Sequence, residues 1–118
     1  MQPWKTNELK VQQLAIQDAD TEALDYTFNP NRAFRILTIS LRIDATVIAV
    51  EDFTIAHDSV HGAKFDHTID SQAMNTRSEH TFDRSADADY YIKGDGIKIT
   101  FDNTDANGWG LLITYVEQ

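Results

Sequence analysis

Alternation of apolar and polar positions is the dominant pattern in the chain, and it predicts strands rather than helices. The clearest run covers residues 35–43, where every second side chain is apolar. One face of that strand is predicted to carry Leu37, Ile39, Leu41 and Ile43, with Ile36 on the other. Shorter runs of the same kind lie around residues 9–16, 53–55, 65–69, 90–92, 97–101 and 109–116. The pattern therefore predicts about seven or eight short strands, which is the spacing of a β-sandwich or barrel.

Turn-forming residues separate these runs. Residues 58–63 are predicted to be a hairpin connection in which Gly62 adopts a positive φ angle, and Gly94-Asp95-Gly96 is predicted to be a turn. The segment DNTDANG, residues 102–108, is rich in residues that cap their own backbone, which favours a β-turn over a calcium loop. A longer polar loop is predicted for residues 70–89.

Three further segments depart from simple alternation. In the first strand the apolar phase slips at Gln12–Gln13, which a β-bulge would explain. Residues 21–25 and 71–77 are each predicted to hold a single helical turn. Residues 1–8 show no alternation and are predicted to form an arm outside the sandwich, within a single domain that spans residues 1–118.

The last strand is apolar on both faces. Trp109, Leu111 and Ile113 alternate on one face, and Leu112 and Val116 lie on the other. Two interpretations remain open: the strand is central and covered on both sides, or its outer face meets another subunit.

Composition supports the all-β prediction. The chain has 118 residues, with 14 Asp but only 5 Glu, and with 11 Ile and 12 Thr. Ile and Thr favour pleated strands, whereas Asp favours turns and caps. Residues that usually fill surface helices are scarce.

Net charge and cysteine content exclude several classes of function. The formal net charge is −9, so phosphate backbones would repel the chain and no nucleic-acid partner is expected. No cysteine is present, which excludes disulfides, thiol nucleophiles and cysteine metal sites. No apolar stretch approaches 18 residues and no signal peptide is recognised, so no membrane association is expected.

Histidines and aromatic residues offer two kinds of candidate site. His57, His61 and His67 cluster around the predicted hairpin, where a small metal-dependent enzyme is one hypothesis and ordinary surface residues the favoured one. No catalytic, cofactor-binding or metal-ligating residue is assigned. Aromatic side chains exposed on one face would instead suit a carbohydrate-binding module. Candidates for such a platform are Trp4, Tyr90, Tyr91, Trp109 and Tyr115.

The order of several short segments resembles a group of small virion proteins of tailed bacteriophages. The resemblance rests on a Lys93-Gly94-Asp95 turn, a strand, an Asn-rich turn and a final strand that begins Trp109-Gly110-Leu111. It spans about residues 34–117 and includes the runs FRILTISL, EDFTI, FDHTI and ADYYI. The N-terminal third and the His-rich hairpin have no counterpart in the group.

This resemblance implies a single jelly-roll-like β-sandwich with a structural, non-enzymatic role. It implies a capsid decoration (cement) protein that binds the outer surface of the major capsid protein, as a homotrimer on the particle. Such a protein is assembled in the host cytoplasm and resides at the capsid surface of the virion. The alternatives are a tail, neck or fibre component and a carbohydrate-binding β-sandwich.

Two surfaces are predicted to make the contacts of such a protein. Trp4 and Leu9 are apolar residues in or beside the N-terminal arm, where they would need a partner to cover them. Leu112 and Val116 occupy the outer face of the last strand.

Overall fold

The structure, a computed structural model, describes residues 11–18, 21–86 and 89–117. These residues form nine strands in two antiparallel sheets, so the all-β prediction is confirmed. The strands are β1 (Val11–Asp18), β2 (Leu24–Phe28), β3 (Phe34–Ile43), β4 (Asp52–Asp58), β5 (His67–Ala73), β6 (Glu79–Asp83), β7 (Tyr90–Tyr91), β8 (Gly96–Phe101) and β9 (Trp109–Glu117). A one-turn 3₁₀ helix covers Ala63–Phe65.

The order of the strands is that of a jelly roll. Sheet I has the order β1-β9-β3-β6, and the two-residue strand β7 pairs with β3. Sheet II has the order β2-β8-β4-β5. When β7 is left out, the strands pair from the two ends of the chain inward: β1 with β9, β2 with β8, β3 with β6, and β4 with β5. A long hairpin that rolls up into two sheets produces this order, which confirms the jelly-roll-like β-sandwich.

The hydrophobic core lies between the inner faces of the two sheets. Its fully buried side chains come from both sheets, because alternate residues of each strand face inward. They include Phe34, Ile39, Leu41, Phe53, Ile55, Ile97, Ile99 and Ile113. Tertiary burial of this kind stabilises strands that would be unstable as isolated hairpins.

A β-bulge in β3 changes the predicted inward face. The register between β3 and β9 shifts between Ile36 and Thr38, so Leu37 is the extra residue. Ile36 is therefore buried on the same side as Ile39, and Leu37 is only half-buried. The prediction that Leu37 shares the face of Ile39 was wrong, because a bulge shifts the alternation by one position.

The first strand shows the opposite error. β1 pairs with β9 in one continuous register, so the bulge predicted at Gln12–Gln13 is absent. Leu14 and Ile16 pack against the core, whereas Val11 lies on the exposed outer face. The residues before Val11, including the predicted arm 1–8, lie outside the described residues.

Both predicted helical turns are strands or turns in the structure. Leu24, in the segment 21–25, begins β2 and pairs with Phe101, so this segment follows the edge of sheet II. In the segment 71–77, β5 continues to Ala73, which pairs with Asp52. The predicted loop 70–89 also contains β6, and Phe65, predicted as strand, lies in the 3₁₀ helix. Pairing with distant strands outweighed weak local preferences here.

Connections gather at the two ends of the sandwich. We call one end the hairpin end. It carries the β4–β5 connection, residues 59–66, and beside it the β7–β8 turn, residues 92–95. We name the opposite end the loop end. It carries the β3–β4 loop, residues 44–51, the β5–β6 turn, residues 74–78, and the β8–β9 loop, residues 102–108.

Asn103 organises the loop end from inside. It is buried, and its positive φ of 53° places it in the left-handed region that asparagine tolerates better than most residues. Its Nδ2 donates hydrogen bonds to the carbonyl oxygens of Thr21, Glu22 and Asn107, at 3.1, 2.9 and 2.9 Å. Its Oδ1 accepts the amide of Asn107 at 3.2 Å. One side chain thus connects the segment before β2 to the loop before β9.

Candidate functional site

The outer face of β9 carries the two described residues predicted to form an interface. Leu112 is 36% exposed there, whereas Val116 is only 5% exposed. Val116 is flanked in register by Val11 on β1 and Arg35 on β3. Trp4 and Leu9 lie outside the described residues, and the interface role of all four residues stays a prediction.

A depression of about 480 Å³ adjoins Leu112 on this outer face of sheet I. It exists because Gly110 has no side chain, and a Cβ added there would meet no atom within 4 Å. Gly110 lies in register between Gln17 and Arg42, so the gap opens between β1 and β3. The residues that line the depression include Ala15, Ile16, Ser40, Arg42, Gly110 and Leu112.

The lining of this depression suits an apolar side chain better than a charged one. Its surface is formed mainly by aliphatic groups, with Ser40 and Arg42 as the polar members. The Arg42 guanidinium is largely exposed at the rim and lies 4.0 Å from Glu79. The depression therefore has an apolar floor and a cation at one edge.

The structure brings together only two of the three histidines that were predicted to cluster at the hairpin end. His57 and His67 are paired across β4 and β5, and their rings lie edge to face with centroids 5.2 Å apart. His61 instead packs against Phe65, at a centroid distance of 6.0 Å. Within residues 11–18, 21–86 and 89–117, no group of three or more acidic, histidine or cysteine side chains is suited to hold a metal ion.

Asp95 is the central polar residue of the hairpin end. Its carboxylate accepts hydrogen bonds from the backbone amides of Val60 at 2.9 Å and Ile92 at 3.2 Å. The His57 Nε2 lies 3.2 Å from Asp95 Oδ2, a contact that becomes an ion pair when the imidazole is protonated. Burial alone raises the pKa of Asp95, but these two amides and His57 outweigh it and lower the pKa below its ordinary value of 3.8.

We expect replacement of Asp95 by asparagine to destabilise the protein in a pH-dependent way. Because the pKa of Asp95 is lowered in the folded state, its stabilisation is present above the unfolded-state pKa of 3.8 and lost as the pH falls through the folded-state pKa. Loss of hydrogen bonds to a charged group predicts a cost of about 1–3 kcal/mol at pH 7. Urea denaturation should show the cost shrinking towards zero in strong acid.

A matched control for that experiment is Asp102→Asn, which makes the same change at an exposed position of the loop end. Its effect should stay within about 0.5 kcal/mol at every pH. A cost at Asp95 that is the same at neutral and acidic pH would contradict the role given to its carboxylate.

A second histidine–aspartate pair joins the two sheets. His80 on β6 and Asp70 on β5 face each other across the interior, with His80 Nε2 2.8 Å from Asp70 Oδ2. β6 is an edge of sheet I and β5 an edge of sheet II, so the pair closes the side of the sandwich between them. Sequence reasoning missed this pair because it placed both residues in one polar loop.

The aromatic residues considered for a carbohydrate platform do not form an exposed stripe in the described part of the chain. Trp109 and Tyr91 are buried in the core, and the Trp109 Nε1 donates to the carbonyl oxygen of Glu22 at 2.9 Å. Tyr115 packs edge to face against the buried Phe28. Tyr90 is exposed, and the Arg35 guanidinium lies 4.9 Å from its ring centroid. Trp4 lies outside the described residues.

Two exposed apolar residues at the loop end were not predicted from the sequence. Ile48 is 84% exposed and Val50 is 88% exposed, although the residue before them, Val47, is buried in the core. We call Ile48 and Val50 the apolar tip. Residues 47–50 are four consecutive apolar residues, so the sequence does not indicate which of their side chains face the core.

No protein-family model and no curated protein matches this sequence. In the part of the chain that the structure describes, no helix is long and apolar enough to cross a membrane.

Proposed function

We propose that this protein is a non-enzymatic structural component of a phage virion, a capsid decoration protein. In this proposal it binds the outer surface of the major capsid protein, forms a homotrimer on the particle and resides at the capsid surface. The jelly-roll strand order supports the proposal, because shell and decoration roles suit a rigid sandwich that presents faces and loops. The resemblance of residues 34–117 to small virion proteins supports it from the sequence.

The observation that carries the proposal is the apolar depression beside Leu112. β9 is hydrogen-bonded to β1 along one side and to β3 along the other, so Leu112 stands on a strand that is fixed from both sides. A preorganised apolar hollow binds with a smaller ordering cost than a mobile loop would. A shell protein could insert an apolar side chain into this depression, and sheet I would not have to rearrange to bind it.

The proposed mechanism is mechanical. Each copy covers a junction between shell subunits and adds buried area to it, and the modest gain per copy is repeated over the whole particle. The net charge of −9 also suits an outer surface, because it repels DNA and keeps particles apart.

The test of this function is the copy number of the chain on particles. The chain, with an epitope tag at its C-terminus, is produced in infected cells, and particles are purified by density gradient. Mass spectrometry should find it at near-equal copy number with the major shell protein. A few copies together with tail or neck proteins would move the role to the tail, and absence from particles would refute a virion role.

Leu112→Asp should lower the occupancy of the chain on particles by about tenfold or more. The substitution places a carboxylate at the edge of an apolar hollow, and burying that charge in a contact costs well over the 1.4 kcal/mol that corresponds to tenfold. The matched control is Thr68→Asp, at an exposed position of sheet II that pairs with Ala56. Equal occupancy of Leu112→Asp and wild type would exclude this face as the contact.

A further inference from the structure

We propose that the apolar tip at the loop end is a second contact surface, which inserts Ile48 and Val50 into an apolar hollow with a basic rim on the shell of the particle. The inference rests on the proposed virion function, and it adds a contact that the outer face of β9 does not provide. It also defines the chemistry of the partner surface.

Exposure is the first observation behind it. Two β-branched aliphatic side chains project almost completely into solvent, only two positions apart. Single exposed apolar residues are normal on protein surfaces, but a pair at the tip of a projecting loop is a surface that gains free energy from being covered.

The second observation is that the backbone of the tip is held in place. The amides of Ile48 and Ala49 both donate to Asp105 Oδ2, at 2.6 and 3.3 Å. Glu51 accepts hydrogen bonds from the backbone amide and the hydroxyl of Thr104, at 3.0 and 2.7 Å. Both anchors come from the β8–β9 loop.

The β5–β6 turn holds the other side of the same loop. The Val47 amide donates to the Arg77 carbonyl oxygen at 2.8 Å, and the Thr76 amide donates to the Val47 carbonyl oxygen at 2.7 Å. The Met74 amide also donates to the Glu51 carbonyl oxygen at 3.0 Å. A loop whose backbone is fixed from two sides presents its apolar side chains with a smaller ordering cost on binding than a mobile loop would, which is the property of a preorganised contact.

The third observation is the charge around the tip, which selects the partner. In the described part of the chain, the loops and strand ends at the loop end carry two guanidinium groups, Arg77 in the β5–β6 turn and Arg42 near the end of β3. The described carboxylates there are more numerous: Glu22, Asp44, Glu51, Asp52, Glu79, Asp102 and Asp105. A complementary surface therefore carries lysine or arginine around an apolar hollow, because like charges facing each other would oppose the contact. Anionic lipid headgroups and nucleic acids are disfavoured for the same reason.

The chain offers a matched pair of variants to test the tip. The double variant I48S/V50S removes the apolar tip, and V60S/I92S makes the same two changes at the hairpin end, where both side chains are about half exposed. On purified particles, I48S/V50S should reduce occupancy by about tenfold, while V60S/I92S should leave it within about twofold of wild type. Wild-type attachment should also weaken as salt is raised, because the rim charges are screened.

Site-specific crosslinking identifies what covers the tip. A photoreactive amino acid replaces Val50 in one preparation and Ile92 in another, and particles are irradiated and digested for mass spectrometry. We expect position 50 to crosslink to an apolar shell peptide flanked by lysine or arginine, and position 92 to give no such product. A crosslink to a second copy of this chain or to an acidic surface would overturn the proposal.

The same experiments separate failure of this inference from failure of the proposed function. If wild type is absent from particles, the virion function itself is wrong. If wild type is present and I48S/V50S binds equally well, the virion function stands and the tip is not a contact. Flotation of wild type with neutral phosphatidylcholine vesicles, and not of I48S/V50S, would assign the tip to a lipid surface and overturn the inference.

Discussion

Replacing Asn103 with aspartate should destabilise the protein by about 3–5 kcal/mol at pH 7, the range expected for a buried charge without a compensating partner. The amide Nδ2 that donates to three carbonyl oxygens would become a carboxylate oxygen that faces them. Urea denaturation followed by tryptophan fluorescence should report the loss, because Trp109 is buried beside the same segment and donates to Glu22.

The matched control for Asn103 is the same substitution at Asn29. Asn29 is exposed, and its Oδ1 accepts the Asn31 amide at 2.9 Å, a bond that a carboxylate retains. Asn29→Asp should therefore cost less than about 1 kcal/mol. Equal losses at the two sites would contradict the view that Asn103 organises the loop end. A loss confined to Asn103 would also predict weaker particle attachment, because Asp105 in the same loop holds the apolar tip.

Phe34→Ala should destabilise the sandwich by a similar amount, about 3–5 kcal/mol, as large-to-small changes of a buried phenylalanine do. The Phe34 ring is fully buried, stacks on Tyr91 at a centroid distance of 5.1 Å and meets Phe28 edge to face at 5.4 Å. Removing it leaves a cavity between rings that belong to both sheets and that are too rigid to collapse into it. The midpoint of urea unfolding should fall accordingly.

The control for this cavity is Phe65→Ala. Phe65 is 63% exposed in the 3₁₀ helix, so the same truncation creates no enclosed cavity and should cost less than about 1 kcal/mol. A Phe34→Ala protein as stable as Phe65→Ala would mean that the interior at the hairpin end can repack.

Errors in the sequence predictions share one cause. Leu37 was assigned to the wrong face because a bulge in β3 shifts the alternation by one residue, and nothing in the local sequence of β3 marks it. Leu24 was read as part of a helical turn, although it pairs with Phe101 at the edge of sheet II. In both segments the structure depends on a partner strand that is distant in sequence.

The candidate sites were predictable only in part. Leu112 was correctly placed on the outer face of β9, but the depression beside it depends on Gly110 lying between Gln17 and Arg42, which belong to two other strands. The apolar tip was not predicted, because residues 47–50 are all apolar and show no alternation that would assign a face to each of them. The structure shows that the side chains of Ile48 and Val50 both lie in solvent, on a loop that Asp105 anchors.

By itself, the sequence determined the all-β class, the positions of most strands and the presence of a turn at Gly94, although that turn covers residues 92–95 and Gly96 already belongs to β8. These are local properties, since the two-residue period of a strand and the preferences of turn residues act within a few positions. The tertiary structure alone decided which faces are buried, which histidines meet an aspartate and which apolar residues stay exposed. Those outcomes depend on register and on contacts between sheets, which join residues far apart in the chain.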